Sequence, residues 1–339
     1  MQKLDNALLD THNRSLRDLR VSVTDRCNFR CSYCMPKELF GRDHPFLPRE
    51  ELLTFEEITR LVRIFKDLGV KKVRLTGGEP LLRKQVERLV SKLAEIPELE
   101  LSMTTNASLL PKKAQLLKDS GLGRVSISLD SLDDRVFKVM NDVDVPVEVV
   151  LAGIHSAEKA GLTPIKVNMV IKRGVNEDSI LPMVDHFRGS GHILRFIEFM
   201  DVGSTNGWRL DDVVPVAEIL KKISKVHPLE AIEPNYVGEV ARCYRYKDGM
   251  GEIGLIASVT QPFCGDCTRA RLSADGKLFT CLFAIQGVDL KSVLRRGASD
   301  DELRTEIEKV WVVRGDRYSE IRSEATMDMP KVEMSYIGG

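Results

Sequence analysis

Short β-rich segments alternate with helical patterns between residues 18 and 200, and this alternation limits the chain to folds built from βα units around a parallel sheet. The first helix is marked by a capping box of Thr54 and Glu57, and Gly69 follows its last apolar turn. Further helices are predicted after residue 83, after residue 111, over 147–160 and over 179–187. The six predicted strands cover residues 20–24, 71–76, 101–105, 124–130, 165–171 and 194–200.

The predicted strands carry a polar face, although parallel strands covered by helices are usually apolar on both faces. Because alternate residues point to opposite sides, Arg20, Lys72, Arg74 and Lys166 share one face with Ser, Thr and Asn residues. A closed eight-stranded barrel is filled by packed side chains, and unpaired cations would be costly there. The strands therefore predict an α/β fold, a partial (βα)6 barrel open on one side with room for an anionic ligand. The alternative is an antiparallel sheet with one solvated face.

The pattern of predicted strands and helices changes after about residue 225. Shorter β-like runs follow at 238–246, 251–259 and 269–283, and two helical stretches at 288–297 and 301–314. We therefore predict two domains, a partial barrel over residues 1–225 and a smaller C-terminal α+β domain over residues 226–339.

Composition excludes several classes of function. Lys and Arg together number 50 and Asp and Glu also number 50, so the chain lacks the global basic field typical of nonspecific nucleic-acid binding. No segment approaches the roughly 18 continuous apolar residues that would span a membrane, and the N-terminal stretch has no apolar signal region. We expect a cytoplasmic protein with no nucleic-acid or membrane partner, whose seven cysteines are metal ligands or catalytic thiols rather than disulfides.

Six of the cysteines form two triplets. Cys27, Cys31 and Cys34 are spaced C-x3-C-x2-C directly after the first strand, and Cys264, Cys267 and Cys281 are spaced C-x2-C-x13-C. A structural zinc site has four closed ligands, whereas a [4Fe-4S] cluster held by three thiolates leaves one iron open. Structural zinc and unligated thiols remain alternatives for both triplets, and the isolated Cys243 is interpreted as a small buried apolar residue.

The motifs around these cysteines resemble known ones. The segment CNFRCSYCMP (27–36) is similar to the signature of the radical S-adenosylmethionine (SAM) superfamily, and LTGGEPLLR (75–83) resembles its glycine-rich SAM motif. Over nearly the whole chain the sequence resembles the GTP 3',8-cyclase family of molybdenum cofactor biosynthesis. That resemblance rests on TTNA (104–107), SLD (128–130), FIEFMDVG (196–203), NGW (206–208), GEVA (238–241), FCGDCTRARLSADGKL (263–278), CLF (281–283), RYS (317–319) and IGG (337–339). The family commonly has glycine where Ala107 stands here.

The resemblance implies two [4Fe-4S] clusters and SAM as cofactors. The cluster on Cys27, Cys31 and Cys34 would chelate SAM and reductively cleave it to a 5'-deoxyadenosyl radical, while the cluster on Cys264, Cys267 and Cys281 would bind the guanine of GTP. The fold it implies is a radical SAM partial barrel with the second cluster in the C-terminal domain. The residues implied for the SAM site are Tyr33, Gly78, Ser128 and Met200.

The resemblance further implies that GTP is converted into (8S)-3',8-cyclo-7,8-dihydroguanosine 5'-triphosphate, the first step of molybdenum cofactor biosynthesis. The cationic strand face and the Arg-x-Arg after Cys267 suit a triphosphate, since arginine donates bidentate hydrogen bonds to phosphate. The residues expected to bind GTP are Arg20, Lys72, Arg74, Thr105, Lys166, Arg269 and Arg271. Arg20, Arg269, Arg271, Gly338 and Gly339 are expected to be required for catalysis. A flavodoxin-type electron donor, a homodimer and handover to cyclic pyranopterin monophosphate synthase are also implied.

Two other functions stay open at this point. A radical SAM enzyme acting on a peptide would also carry additional C-terminal cysteines, but it has no need of a cationic lumen. A zinc-binding or redox-sensing module would account for the cysteines and leave TGGEP and the cationic strand faces unexplained.

Overall fold

A computed structural model describes residues 8–236, 238–322 and 329–339 of the chain. Residues 1–7, part of the N-terminal stretch predicted to lack a signal region, lie outside the described residues. In chain order the strands are β1 Asp18–Ser22, β2 Lys72–Thr76, β3 Glu100–Thr105, β4 Arg124–Ser128, β5 Lys166–Ile171, β6 Ile193–Glu198, β7 Leu229–Ile232, β8 Arg242–Tyr246, β9 Glu252–Ile256, β10 Arg269–Leu272, β11 Lys277–Phe279 and β12 Val288–Asp289.

The helices of the described residues are α1 Phe55–Asp67, α2 Val86–Ala94, α3 Leu110–Asp119, α4 Asp134–Asn141, α5 Val147–Lys159, α6 Ile180–Phe187, α7 Val216–Ser224, α8 Leu290–Arg295, α9 Asp300–Val312 and α10 Met334–Ile337. Short 3-10 turns cover Arg49–Glu51, Pro80–Leu82, Glu177–Ser179, Leu210–Asp212 and Cys264–Asp266. A membrane-crossing helix would have to be longer and more apolar than any of those found in the described ranges.

All twelve strands belong to one open sheet in the order β12-β11-β10-β1-β2-β3-β4-β5-β6-β9-β8-β7. Strands β1 to β6 are parallel and follow the chain, which confirms the predicted βα units and shows that the antiparallel alternative is wrong. The later strands extend both edges, since β10 pairs in parallel with β1 and β9 with β6. The division into domains at residue 225 therefore stays a prediction, because strands from both sides of it share this sheet.

The two faces of the central strands differ as the alternation predicts. Val21, Val73, Ile127 and Val167 are fully buried in the apolar core that the helices cover. The first helix begins at its capping box, in which the Thr54 hydroxyl accepts from the Glu57 amide at 3.1 Å. The opposite, polar face of the strands lines a cavity.

Some elements escaped prediction from the sequence. Helices α4, α7 and α10 were not predicted, and neither was strand β7, whose residues are half-exposed or exposed at one end of the sheet, where apolar alternation is weak. Val288–Asp289, predicted as the start of a helix, instead forms the exposed strand β12 at the other end. Where the family commonly has glycine, this chain has Ala107, and its backbone conformation is one that favours glycine. Ala107 has φ +63°, the left-handed region that glycine adopts without a steric penalty.

Candidate active site

One cavity on the polar face of the sheet brings both cysteine triplets together. The first triplet follows the carboxyl end of β1, whereas the second lies at the amino end of its parallel neighbour β10, so the two triplets line the cavity from opposite edges of the sheet. The expected site residues that line the cavity are Arg20, Cys27, Cys31, Tyr33, Cys34, Lys72, Arg74, Gly78, Thr105, Ser128, Lys166, Met200, Cys264, Cys267, Arg269, Arg271, Cys281 and Gly339. Gly338 adjoins the cavity through a hydrogen bond to Arg271. Cys243 lies in β8, buried and outside this lining.

The first triplet lies in a tightly hydrogen-bonded loop after β1. The amides of Cys34 and Met35 both donate to the carbonyl of Cys31, at 2.9 and 2.8 Å. Burial and the Glu79 carboxylate raise the pKa of Cys27 to about 12, and burial also raises the pKa values of Cys31 and Cys34. These thiols therefore ionise only when a positively charged group compensates the thiolates.

The glycine-rich loop after β2 packs backbone to backbone against the start of the cysteine loop. The Gly78 amide donates to the Thr24 carbonyl and the Glu79 amide to the Arg26 carbonyl, both at 2.8 Å. A Cβ atom at Gly78 would collide with the Arg26 carbonyl. The Glu79 carboxylate accepts from Leu81, Thr105 and Asn106, while burial raises its pKa to about 7. Thr105, expected to contact GTP, thus directs its hydroxyl to Glu79 at 2.8 Å.

Replacing Gly78 by Ala is expected to destabilise the protein by about 1–3 kcal/mol, because the added methyl group must displace backbone in a packed loop. Thermal unfolding of the purified variant measures this loss. Gly41→Ala is the matched control, since a Cβ at Gly41 meets only the Lys37 carbonyl at an ordinary 3.5 Å. Equal unfolding temperatures for the two variants would contradict the close approach of the two loops.

Tyr33 and Met200, two residues of the expected SAM site, are held by partners that sequence reasoning missed. The Tyr33 hydroxyl donates at 2.9 Å to Asp130, whose other carboxylate oxygen accepts from the Val170 amide at 2.8 Å. Asn206 donates from its side-chain amide to the Met200 carbonyl at 2.9 Å. Ser128 is half-buried at the end of β4, facing the cavity. Asp130 and Asn206 belong to the SLD and NGW motifs, which were the available signals for them.

The second triplet lies beside cations that act most strongly on Cys267. Cys264 begins a 3-10 turn that ends at Asp266, Cys267 follows as its C-cap, and Arg269 starts β10. Although burial alone would raise the pKa of Cys267, the guanidinium groups of Arg269 and Arg314 lower it to about 6. Burial and Asp316 raise the pKa of Cys281 to about 11. Cys267 is therefore ready to ionise in the folded protein.

The donor set of each triplet fits an iron–sulfur cluster. All seven cysteines are free, and metal ligation requires deprotonated thiolates, whose buried charge the cluster iron offsets. Within the described ranges no three His, Cys, Asp or Glu side chains form a compact site for a single metal ion. Both triplets border the same cavity, so groups bound on them would face each other across it.

The polar strand face contains a row of arginines. Arg20 stands directly between Arg74 and Arg271 in the register of β2, β1 and β10. Burial and these two neighbours lower the pKa of Arg20 well below its usual range. No hydrogen bond or ion pair to Arg20 is found among the described residues, whereas Arg74 donates to Thr104 and Ser126 at 3.2 and 3.1 Å.

Two lysines and a further arginine extend this cationic surface. Burial and Arg124 lower the pKa of Lys72 to about 8, and Lys72 donates to the Tyr236 hydroxyl at 3.2 Å. Burial and Arg195 likewise lower the pKa of Lys166 to about 8. Arg195 of β6 lines the cavity and donates to Asn168 at 3.0 Å, yet it was missed because its segment does not alternate cleanly.

The two terminal glycines reach this surface. Arg271 donates to the carbonyl oxygen of Gly338, and the Thr76 hydroxyl donates to that of Gly339 at 3.4 Å. Helix α10 is fixed just before them, because the Tyr336 hydroxyl donates to Asp275 at 2.5 Å. Gly338 has φ +79°, and a Cβ atom there would collide with the Thr76 side chain. Only glycine fits this position without strain.

Comparison with known proteins identifies relatives over both parts of the chain. Residues 21–187 match the Radical SAM superfamily and residues 192–320 match the family Molybdenum Cofactor Synthesis C. A protein of Acidothermus cellulolyticus named GTP 3',8-cyclase is 53% identical, over 97% of this chain and 98% of its own length. Proteins of the same name from Staphylococcus haemolyticus and Staphylococcus carnosus are 49% and 48% identical, over 97% and 98% of this chain and 98% and 99% of their own lengths.

Solved structures support the fold independently. Streptococcus suis SuiB bound to the precursor peptide SuiA has a TM-score of 0.63 at 15% identity, over 92% of this chain and 68% of SuiB. The same protein bound to S-adenosylmethionine has a TM-score of 0.63 at 14% identity, over 94% and 78%. At this level of identity the likeness concerns the fold alone, and it agrees with an open radical SAM sheet.

Proposed function

Because the chain belongs to the GTP 3',8-cyclase family of radical SAM enzymes, we propose that the cavity between its two cysteine triplets is where GTP is cyclised. The enzyme is a lyase that converts GTP into (8S)-3',8-cyclo-7,8-dihydroguanosine 5'-triphosphate in molybdenum cofactor biosynthesis. Its cofactors are SAM and two [4Fe-4S] clusters. The observation that carries the site assignment is the convergence of both triplets and a row of three arginines on one cavity.

Cys27, Cys31 and Cys34 would hold the cluster that binds SAM, and Tyr33, Gly78, Ser128 and Met200 would surround SAM. When bound, this cluster supplies the electron that cleaves SAM and starts radical chemistry on the substrate. Support comes from the hydrogen bonds that fix this region. Asp130 orients the Tyr33 ring through its hydroxyl, and Asn206 fixes the Met200 backbone. Their role is to orient groups and to exclude water from a reactive site.

Cys264, Cys267 and Cys281 would hold the second cluster, next to which the guanine of GTP would bind. The triphosphate would then lie along the cationic strand face. Its proposed ligands are Arg20, Lys72, Arg74, Lys166, Arg269 and Arg271, with Thr105 acting from the edge of the cavity. The lowered pKa values of Arg20, Lys72 and Lys166 support this, since burial and neighbouring cations disfavour their charged forms and a bound polyanion would offset both effects.

GTP affinity is expected to fall as pH rises above 8. Below this pH Lys72 and Lys166 are protonated and attract the triphosphate. Above it both lysines are neutral in the free protein, and GTP binding must then be accompanied by proton uptake, which weakens the affinity. The decrease is up to about tenfold per pH unit for each lysine involved. The dissociation constant of GTP for the reconstituted protein, measured anaerobically by equilibrium dialysis from about pH 7 to pH 9, checks this.

Lys72→Met should show weaker GTP binding at neutral pH and a shallower dependence on pH than the wild type. The comparison also removes any contribution from ionisation of GTP itself, which is common to both proteins. Lys71→Met is the matched control, because Lys71 is exposed beside β2 and lies outside the cavity lining. An unchanged pH profile in Lys72→Met would contradict the role of Lys72.

We also propose a cytoplasmic location, a flavodoxin-type electron donor, a homodimer and delivery of the product to cyclic pyranopterin monophosphate synthase. The free state of all seven cysteines is consistent with a reducing compartment. The donor, the dimer and the downstream partner follow from family resemblance.

The deciding experiment is an anaerobic assay of reconstituted protein with SAM, dithionite and GTP, followed by mass spectrometry of 5'-deoxyadenosine and the cyclised nucleotide. Formation of both only when GTP is present is the expected result. SAM cleavage with GTP left unchanged would overturn the substrate, as for an enzyme acting on a peptide. Metal analysis accompanies the assay, since about eight iron and eight sulfide per chain indicate two clusters and zinc indicates a binding module.

A further inference from the structure

Asp10, Arg14 and Arg314 form a buried charge network next to the second cysteine triplet. Arg14 Nε and Arg314 Nη1 both donate to the same carboxylate oxygen of Asp10, at 2.6 and 2.9 Å. The three residues are only 4 to 6% exposed. None of the three is among the residues proposed to bind SAM or GTP, although burying three charged groups is costly unless their hydrogen bonds are satisfied.

Further donors of the two arginines go to backbone carbonyls at or beside the second triplet, while Arg14 Nη2 has no partner among the described residues. Arg14 Nη1 donates to the Cys264 carbonyl at 2.7 Å, and Arg314 Nη1 donates to the Cys267 carbonyl at 2.8 Å. Arg314 Nε donates at 3.1 Å to the carbonyl of Thr280, the residue before Cys281. The charge network therefore contacts the backbone at or beside every cysteine of this triplet.

Other contacts hold the two arginines rigidly. The indole of Trp311 donates to the Arg14 carbonyl at 3.1 Å, and the Arg314 guanidinium stacks 4.6 Å from the centre of the same ring. Arg14 also donates to the Asp316 carbonyl at 2.8 Å. The loops around Cys264 and Cys281 have little regular structure of their own, and these donors help to connect them to helix α9 and to the N-terminal segment.

We propose that Asp10, Arg14 and Arg314 are positioning residues that fix the loops of the second cysteine triplet in the geometry needed to hold its cluster, without affecting the first triplet. The inference rests on the proposed function, since it presumes a cluster on Cys264, Cys267 and Cys281. The planar guanidinium donates along several directions at once, whereas a lysine at the same place could satisfy only part of this set.

The test compares Arg14→Met, which keeps the bulk of the side chain, and Arg14→Lys, which keeps its charge. After anaerobic reconstitution, Arg14→Met is expected to bind about four iron atoms per chain in place of about eight, with the electron paramagnetic resonance signal of the second cluster lost. Cleavage of SAM with dithionite, which depends on the first cluster, is expected to persist. Arg14→Lys should recover part of the iron and of the signal.

A second measurement needs no cluster. In the metal-free protein, alkylation of Cys264, Cys267 and Cys281 by iodoacetamide is expected to accelerate roughly 10-fold to 100-fold in Arg14→Met, because the loops lose charge-assisted hydrogen bonds. Alkylation of the first triplet, measured by peptide mass spectrometry in the same sample, is expected to stay at its wild-type rate.

Arg60→Met is the matched control, since Arg60 also combines an ion pair, to Asp300 at 2.6 Å, with a carbonyl contact, to Ala298, on the outer helices. It should bind as much iron as the wild type. The proposal is overturned if Arg14→Met keeps both clusters, or if both triplets become equally reactive, which would mean a general loss of stability. A wild-type protein with a single cluster would instead contradict the proposed function, and the alkylation contrast would still test the network.

Discussion

Replacing Arg20 by Met is expected to stabilise the ligand-free protein while lowering kcat/KM for GTP by about 100-fold or more. Arg20 is flanked in register by Arg74 and Arg271 and has no hydrogen-bonding partner among the described residues, so its removal relieves repulsion in the empty fold. The expected gain is about 1 kcal/mol, reduced by the water that the cavity admits. The same side chain is proposed to bind the triphosphate, whose charge-assisted contacts would be lost.

Thermal unfolding and steady-state GTP turnover of the same preparation measure the two effects. Arg304→Met is the matched control, because Arg304 is paired with Asp67 at 3.0 Å on the outer surface. That variant should be unchanged or slightly less stable and should turn over GTP normally. A less stable Arg20→Met with normal turnover would show that Arg20 serves the fold and not the substrate. Opposite signs for stability and activity are typical of groups retained for function.

Features that depend on residues close together in the chain could be predicted from the sequence. Strand alternation put Arg20 and Lys72 on the face opposite Val21 and Val73, and the structure shows this arrangement because a two-residue period leaves no other choice within a parallel sheet. The position of Cys27, Cys31 and Cys34 directly after the first strand likewise predicted the edge of the sheet at which they line the cavity, whereas the place of the second triplet was implied by family resemblance. In both cases the information lies within a few residues of the chain.

Features that depend on contacts between distant segments could not be predicted. Arg14 contacts Cys264 from 250 residues away, and neither residue's neighbours hint at the other. Strand β10 pairs with β1 at one edge of the sheet while β9 pairs with β6 at the other, so the predicted C-terminal domain shares the sheet of the barrel. Arg195 was missed for a different reason, since both polar and apolar residues of β6 are buried and blur its alternation.

Deleting Gly338 and Gly339 is expected to abolish formation of the cyclised nucleotide, to below about one hundredth of the wild-type rate, while both clusters stay bound. The anchors of the tail lie upstream of the deletion, at Tyr336 with Asp275 and at Glu333 with Thr205, so helix α10 should keep its place. The deletion removes the Gly338 carbonyl oxygen, which accepts a hydrogen bond from Arg271. Iron content, SAM cleavage and product formation, measured on one preparation, separate these effects.

The single substitution Gly338→Ala addresses the same contact without shortening the chain. Its Cβ would collide with Thr76 and would also strain a backbone at φ +79°, so the tail must withdraw from Arg271. Gly297→Ala is matched to it, because Gly297 has φ +87° with no atom within 4 Å of a Cβ. If both substitutions merely lower stability and leave turnover equal, backbone strain is the common cause and the tail contact is dispensable. Loss of turnover in Gly338→Ala alone would mean that Arg271 depends on the tail for its position opposite the substrate.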